Sequence, residues 1–281
     1  MRAEAAPASG VGARAVDAVL AARLGPFTRH RAWPLLRPLL HAVIDRRGAA
    51  ALTEEIHDLD AEAIFAHMVE KLRLHLSVDG LADLPRAGAA LAVTNHPTGA
   101  ADGVILHQAL SSVRANLSFF SSTEALSIAP GLSRSIIPVE LDGAQRSHSA
   151  RKRMVAAMRD AVGAGRVLVL LPAGGLSELR GGRLDEPVWT ETPVHLARRF
   201  DLPLVPIHIA ARNSPLHYAL HRISPALRDL TVFRELMNKT GAAARVTIGA
   251  PLDPHGLPRD PGEATERLRR RVLHELAKPQ H

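Results

Sequence analysis

The residue types best suited to chemistry lie in Thr94-Asn95-His96-Pro97-Thr98-Gly99-Ala100-Ala101-Asp102-Gly103. An apolar run, Ala89-Ala90-Leu91-Ala92-Val93, precedes this stretch, and Val104-Ile105-Leu106 follows it. A strand ending in histidine, a Pro/Gly turn and an aspartate opening a helix allow the carboxylate to fold back against the imidazole. There Asp102 would fix the ring tautomer and stabilise the imidazolium formed when the other nitrogen takes a proton. His96 is therefore a candidate general base.

Spacing alone does not carry this reading. With 15 His and 14 Asp in 281 residues, chance places roughly one such pair at any given separation. His195 and Asp201 repeat the spacing, but within a segment that reads as a helix, where residues six apart point in different directions. His255 and Asp260 sit in a Pro/Gly-rich stretch with no apolar helix close behind. The pair at 96 and 102 alone has the strand–turn–helix setting.

The elements that must position this pair follow from periodicity. Apolar residues at helical spacing predict helices over 11–24, 31–44 and 53–74, separated at Gly25-Pro26 and at Gly48. From residue 74 the period changes to two, and strands are predicted over 74–78, 89–94, 117–121, 135–141, 166–171, 204–209 and 245–248. Helices over 102–111, 147–162, 192–200 and 263–277 alternate with them. The expected fold is α/β, with a mostly parallel mixed sheet flanked by helices and an N-terminal helical extension. The expected division is a helical region over 1–75 and an α/β domain with a C-terminal helix over 76–281. In such sheets sites gather at the carboxyl ends of strands, where His96 falls.

Composition sets outer bounds. A 46 % hydrophobic chain of this length supports a substantial core and is not a disordered one. No apolar run approaches the roughly 20 residues that span a bilayer, and the first 30 residues carry arginines in place of a secretory signal. Absence of cysteine excludes disulfides, thiolate metal sites and cysteine nucleophiles. The net charge of +7 suggests an anionic partner, although a generally arginine-rich composition explains it equally well. Aromatic content of 3 % supplies few stacking platforms, so nucleic acid is not expected as a partner. Arg31-Ala32-Trp33-Pro34-Leu35-Leu36-Arg37-Pro38-Leu39-Leu40-His41 reads either as an interfacial membrane segment or as a helix packed on the core.

Several segments resemble one family in register. Asn95-His96-Pro97 with Asp102-Gly103 is similar to the histidine–aspartate block of the glycerolipid and lysophospholipid acyltransferase superfamily. Leu168-Val169-Leu170-Leu171-Pro172-Ala173-Gly174 resembles its strand and Pro-x-Gly turn. Leu202-Pro203-Leu204-Val205-Pro206-Ile207-His208-Ile209 resembles its last signature, and Val78-Asp79-Gly80-Leu81-Ala82-Asp83-Leu84-Pro85 the strand and turn ahead of the histidine. The resemblance covers roughly residues 75 to 252. Five residues separate His96 from Asp102, where most members have four. That spacing, with Asn213-Ser214, Met237-Asn238-Lys239-Thr240-Gly241 and Val246-Thr247-Ile248-Gly249, looks like the hemolysin-like branch, which includes acyltransferases that complete bacterial ornithine lipids. The turn Pro172-Ala173-Gly174-Gly175 lacks the glutamate that the family often carries there.

The resemblance implies transfer of a fatty acyl group from an acyl thioester to a lysolipid hydroxyl. The donor would be acyl carrier protein or coenzyme A, and the acceptor a lysolipid such as lysophosphatidate or lyso-ornithine lipid. His96 would act as base and Asp102 as its orienter, with no metal or other cofactor, at the cytoplasmic face of the membrane. Asn95, Thr98, Gly99, Pro172, Gly174, Gly175, Ser177 and Arg180 are the substrate-binding candidates, the glycines because they permit close backbone approach. Arg180 and Ser177 could hold a phosphate, a carboxylate or a phosphopantetheine. Two other readings stand beside this one. A hydrolase would use Ser121, Ser122 or Ser177 as nucleophile, although none sits in a recognised elbow. A non-catalytic basic module would bind membrane or nucleic acid. His217 and His221, four apart, read as ordinary histidines in the absence of a third metal ligand.

Overall fold

The computed structural model describes residues 10–139 and 148–278. Four helices come first, α1 (Val11–Leu24), α2 (Trp33–Val43), α3 (Arg46–Ile56) and α4 (Ala61–Leu72). The single helix expected over 53–74 is thus two. Asp60 stops the run: its side chain accepts the Ala63 N–H at 2.9 Å and caps α4. Gly48 does not separate helices; it lies in the first turn of α3, where its N–H is capped by Asp45 at 3.2 Å. Gly12 of α1 allows a close helix crossing, since a Cβ there would fall 2.2 Å from the Ala50 carbonyl of α3.

Strand and helix then alternate: β1 (His75–Asp79), β2 (Ala90–Thr94), α5 (Ala100–Leu110), β3 (Leu117–Ser122), α6 (Glu124–Ile128), β4 (Ile136–Val139), α7 (His148–Gly163) and β5 (Val167–Leu170). A hairpin, β6 (Glu178–Arg180) and β7 (Arg183–Asp185), leads into α8 (Thr192–Phe200) and β8 (Leu204–Ala210). Three short helices, α9 (Pro215–Ile223), α10 (Pro225–Asp229) and α11 (Val232–Met237), separate β8 from β9 (Ala243–Ile248), and α12 (Pro261–Arg270) runs into a wider turn over Arg271–Glu275. The expected strand residues 140–141 and helix residue 147 lie outside the described residues. The hairpin and α6, α9, α10 and α11 have no counterpart among the predicted elements; all but α9 are six residues or fewer.

The fold is α/β, with a mostly parallel mixed sheet in the order β1-β9-β8-β2-β5-β3-β4. All neighbours are parallel except β8 and β9, so β8, β2, β5, β3 and β4 end at one edge. Alternating side chains divide two cores. Ala90, Ala92, Val167, Val169, Val205 and Ile207 pack with α1, α3, α4 and α5. Leu91, Val93, Leu168 and Leu170 pack with α7, α8 and α12 on the other face. Pro206 is tolerated in a central strand because β9 has ended beside it. Its carbonyl accepts the N–H of Gly249 at 2.9 Å, and the N–H it lacks falls beyond the β9 ladder.

Candidate active site

Asn95 sets the start of the site. Its buried amide donates to the Ile209 carbonyl at 2.9 Å and accepts the Ile209 N–H at 2.7 Å, clamping the end of β2 to β8. The chain then leaves the sheet through His96 and turns at Gly99, whose φ of +83° and ψ of −128° suit only glycine. A Cβ at Gly99 would also crowd Leu176 at 3.3 Å. Gly99→Ala is therefore expected to cost about 1–3 kcal/mol, read as a lower midpoint in denaturant unfolding. An unchanged midpoint would show that the turn relaxes without strain.

That turn starts α5 two residues before the predicted position and makes Asp102 the third helical residue. Its carboxylate is 1 % exposed. Oδ2 accepts from His96 Nδ1 at 2.8 Å, from the Thr98 N–H at 3.0 Å and from the Gly99 N–H at 3.1 Å, while Oδ1 accepts the Thr98 hydroxyl. The helix N-terminus adds a favourable field for the negative charge. A carboxylate surrounded by donors only accepts, so the His96 Nδ1 carries the proton and Nε2 holds the free lone pair. Nε2 makes no hydrogen bond among the described residues, and the side chain is 24 % exposed. The arrangement is able to take a proton from an incoming hydroxyl. It also corrects one expectation: the N–H groups of Thr98 and Gly99 are committed to Asp102, so Gly99 shapes the loop and has no N–H free for substrate.

The second turn lies after β5, the neighbour of β2. Gly174 adopts φ +62°, and its N–H closes the turn onto the Leu171 carbonyl at 3.3 Å. The Pro172 carbonyl accepts the Thr190 N–H at 3.1 Å, while Gly175 N–H has no partner among the described residues. Ser177 N–H donates to the His96 carbonyl at 2.9 Å, which joins this turn to the histidine loop. Sequence reasoning missed Glu186. Its buried carboxylate accepts the His96 N–H at 2.8 Å, the Ser177 hydroxyl at 2.5 Å and the Trp189 indole N–H at 3.1 Å. Burial pushes its pKa up, against the pull of these three donors. Nothing local signals it, because it arrives from 90 residues away.

Other candidates stand apart. Arg180 is exposed on the hairpin and paired with Glu178 at 2.9 Å; that pairing holds the Glu178 carboxyl below its ordinary range. Ser177 gives its hydroxyl to Glu186 and not to His96. Ser121 and Ser122 end β3, two strands from β2. The two chance His–Asp spacings do not form pairs: His195 meets Glu191, Asp260 caps α12, and Asp201 meets His255 at the surface. His217 and His221 turn to different partners. His221 contacts Arg228 and Glu178. The Thr231 hydroxyl donates to the Arg228 carbonyl at 2.7 Å, so its oxygen accepts from His217 Nδ1 at 3.1 Å. Asn213 then donates to Nε2 at 3.2 Å, and burial lowers the His217 pKa to about 4. Lys239 donates to Asn213 at 2.9 Å and lies 3.5 Å from Glu235, which accepts both donors of Ser214. The segments Asn213-Ser214 and Lys239, far apart in sequence, thus meet in one buried network.

Fold and site together define an α/β enzyme with a histidine–carboxylate pair at the end of a central strand. Residues 18–270 match the model of the family described as Acyltransferase, and the chain belongs to that family, within the glycerolipid acyltransferase superfamily. The lyso-glycine lipid O-acyltransferase of Phocaeicola vulgatus is 28 % identical over 191 residues, which cover 66 % of this chain and 66 % of that protein. The protein of the same name from Bacteroides thetaiotaomicron is 26 % identical over 190 residues, 66 % of this chain and 68 % of its own length. The match thus spans about two thirds of these relatives. The crystal structure of the 1-acyl-sn-glycerophosphate (LPA) acyltransferase PlsC from Thermotoga maritima superposes with a TM-score of 0.45 at 15 % identity, over 77 % of this chain and 80 % of that one.

Proposed function

We propose that this protein moves a fatty acyl group from an acyl thioester to the hydroxyl of a lysolipid. The observation that carries the reading is the 2.8 Å contact between His96 Nδ1 and Asp102 Oδ2, with Nε2 open at an accessible strand end. Nε2 takes the hydroxyl proton as the oxygen attacks the thioester carbonyl. The tetrahedral adduct collapses with the ester C–O bond formed and the C–S bond broken, and the imidazolium returns its proton to the leaving thiolate. Asp102 stabilises the cation meanwhile, and no acyl-enzyme forms. Gly175 N–H is the candidate donor to the developing oxyanion, in a turn shaped by Pro172 and Gly174. The thioester is carried by acyl carrier protein or coenzyme A, and the step needs no metal or further cofactor.

The acceptor is best read as an amino-acid lysolipid. The two relatives are named for a lyso-glycine lipid, and the longer His–Asp spacing resembles the ornithine-lipid branch. Arg212, two residues past β8 and exposed, makes no ion pair among the described residues and suits the carboxylate or phosphate of a headgroup. Arg180 is a second candidate, shared with Glu178. The purified protein, given acyl-carrier and coenzyme A thioesters with vesicles holding lyso-glycine lipid, lyso-ornithine lipid or lysophosphatidate, should yield a fully acylated lipid by mass spectrometry. Thioester hydrolysis with no acylated lipid from any acceptor would refute the reading.

The lysolipid is reached from the membrane surface in this reading, with the helical region over 1–75 making the contact at the inner face. No helix among the described residues is long and apolar enough to cross a membrane. Instead α2 exposes Leu35 (82 %), Leu36 and Leu39 (65 %) beside Arg37, a pattern suited to lying in the interface. Its end is near the site: Arg234 of α11 donates to the Val43 carbonyl at 3.1 Å, and Val232 of α11 lies against Gly99. The Leu35→Asp, Leu39→Asp double variant should bind anionic vesicles about tenfold or more weakly, from the apolar area lost. Unaltered vesicle co-sedimentation would move the contact elsewhere.

A further inference from the structure

We propose that Glu186 is a positioning residue for the base: it fixes the His96 main chain and brings a second carboxylate to that residue. This rests on the acyl-transfer reading above and adds a residue to it. The geometry is specific. Glu186 Oε1 accepts the His96 N–H at 2.8 Å and the Ser177 hydroxyl at 2.5 Å, and Oε2 accepts the Trp189 indole at 3.1 Å. Ser177 N–H in turn donates to the His96 carbonyl at 2.9 Å. Both main-chain polar groups of His96 are therefore held by the 177–186 segment, while Asp102 holds its ring. The histidine is fixed from two sides.

The site for this carboxylate is expensive. Glu186 is 7 % exposed, and the hydrogen bonds to its carboxylate come from three neutral donors. Burying a charge without a counterion is disfavoured unless something offsets the cost. A neutral amide or hydroxyl would hold the loop at lower cost. What the carboxylate adds is its field, felt most when His96 becomes an imidazolium during transfer. The other charged groups nearby are Asp102 at the ring, Asp185, whose carboxylate accepts the Glu186 N–H at 3.0 Å, and Arg269, which donates to the Glu186 carbonyl at 3.3 Å. The charge of Asp102 also acts on Lys239 and Tyr218. All of these stay in place when Glu186 alone is changed.

The Pro172-Ala173-Gly174-Gly175 turn has no acidic residue, yet a carboxylate reaches the adjoining Ser177 from beyond the hairpin.

The test compares Glu186→Gln and Glu186→Asp with the unaltered enzyme in steady-state transfer over a pH series. Glu186→Gln removes the charge and should lower kcat about tenfold at unchanged KM, while the acid limb of kcat/KM moves about one unit to lower pH. The direction follows because a nearby anion favours the protonated ring, so its loss lets the ring deprotonate at lower pH. Glu186→Asp keeps the charge but retracts it; kcat should fall while the acid limb stays. A folded Glu186→Gln protein with kcat and acid limb unchanged would overturn the assignment, and so would an equal displacement of the acid limb in both variants. Should Glu186→Gln fail to fold, an NMR titration of the His96 ring in Glu186→Asp and in the unaltered protein decides: a midpoint kept within a few tenths supports the charge, and a full-unit fall removes it. A His96→Ala protein that keeps its activity would instead remove the underlying reading, so the two failures are distinct.

Discussion

A His96→Ala protein is expected to fold as the unaltered enzyme does and to transfer acyl groups about 10²–10⁴-fold more slowly. The ring is partly exposed, and its loss leaves Asp102 Oδ2 with the Thr98 and Gly99 N–H groups and Oδ1 with the Thr98 hydroxyl. Asp102 keeps three donors, so stability should fall by only about 1–2 kcal/mol for the lost ring and its hydrogen bond. The anchoring through Glu186 and Ser177 uses the main chain of residue 96 and survives the substitution. The measurement pairs thermal unfolding with product formation from a thioester and a lysolipid. Turnover within a few-fold of the unaltered enzyme, in a protein with its normal unfolding transition, would remove His96 from the reaction.

Substitution at Asp102 should cost both rate and stability, separably. Asp102→Asn keeps an acceptor for the two N–H groups and the ring but loses the charge that stabilises the imidazolium. Its expected rate loss is about 10²–10⁴-fold, with a smaller loss of stability. Asp102→Ala removes every acceptor at a site 1 % exposed, leaving the Thr98 and Gly99 N–H groups and the His96 Nδ1 without partners. At about 1–3 kcal/mol per buried orphan, unfolding should begin several kcal/mol earlier on the stability scale. Chemical denaturation of both variants beside their kinetics checks this. An Asp102→Asn enzyme near full rate would show that the carboxylate serves the loop alone.

Much of the architecture was legible because periodicity survives folding. The doubly buried strands at 90–94 and 167–170 are short apolar runs, and α8 spans the predicted 192–200. The break inside 53–74 was missed because apolar spacing continues across residues 57–60, where Asp60 caps a new helix. The three short helices between β8 and β9 were missed because proline and serine interrupt the segment and buried polar residues, Asn213, His217, Thr231, Glu235 and Lys239, occupy inward positions that apolar periodicity does not record. Arg180 was legible as a cation near the second turn, but not its engagement by Glu178.

Residues 94–103 by themselves determined the meeting of imidazole and carboxylate, since a glycine turn and the first turn of a helix bridge six positions through local backbone geometry. Only the folded chain decided what stands behind that pair. Glu186 reaches His96 from 90 residues away, after a hairpin that returns across the end of the sheet. Asn95 meets Ile209 from 114 away, through the pairing of β2 with β8. Contacts at such separations depend on which strands lie side by side, and that is settled by burial of both faces of the sheet together and by no single segment.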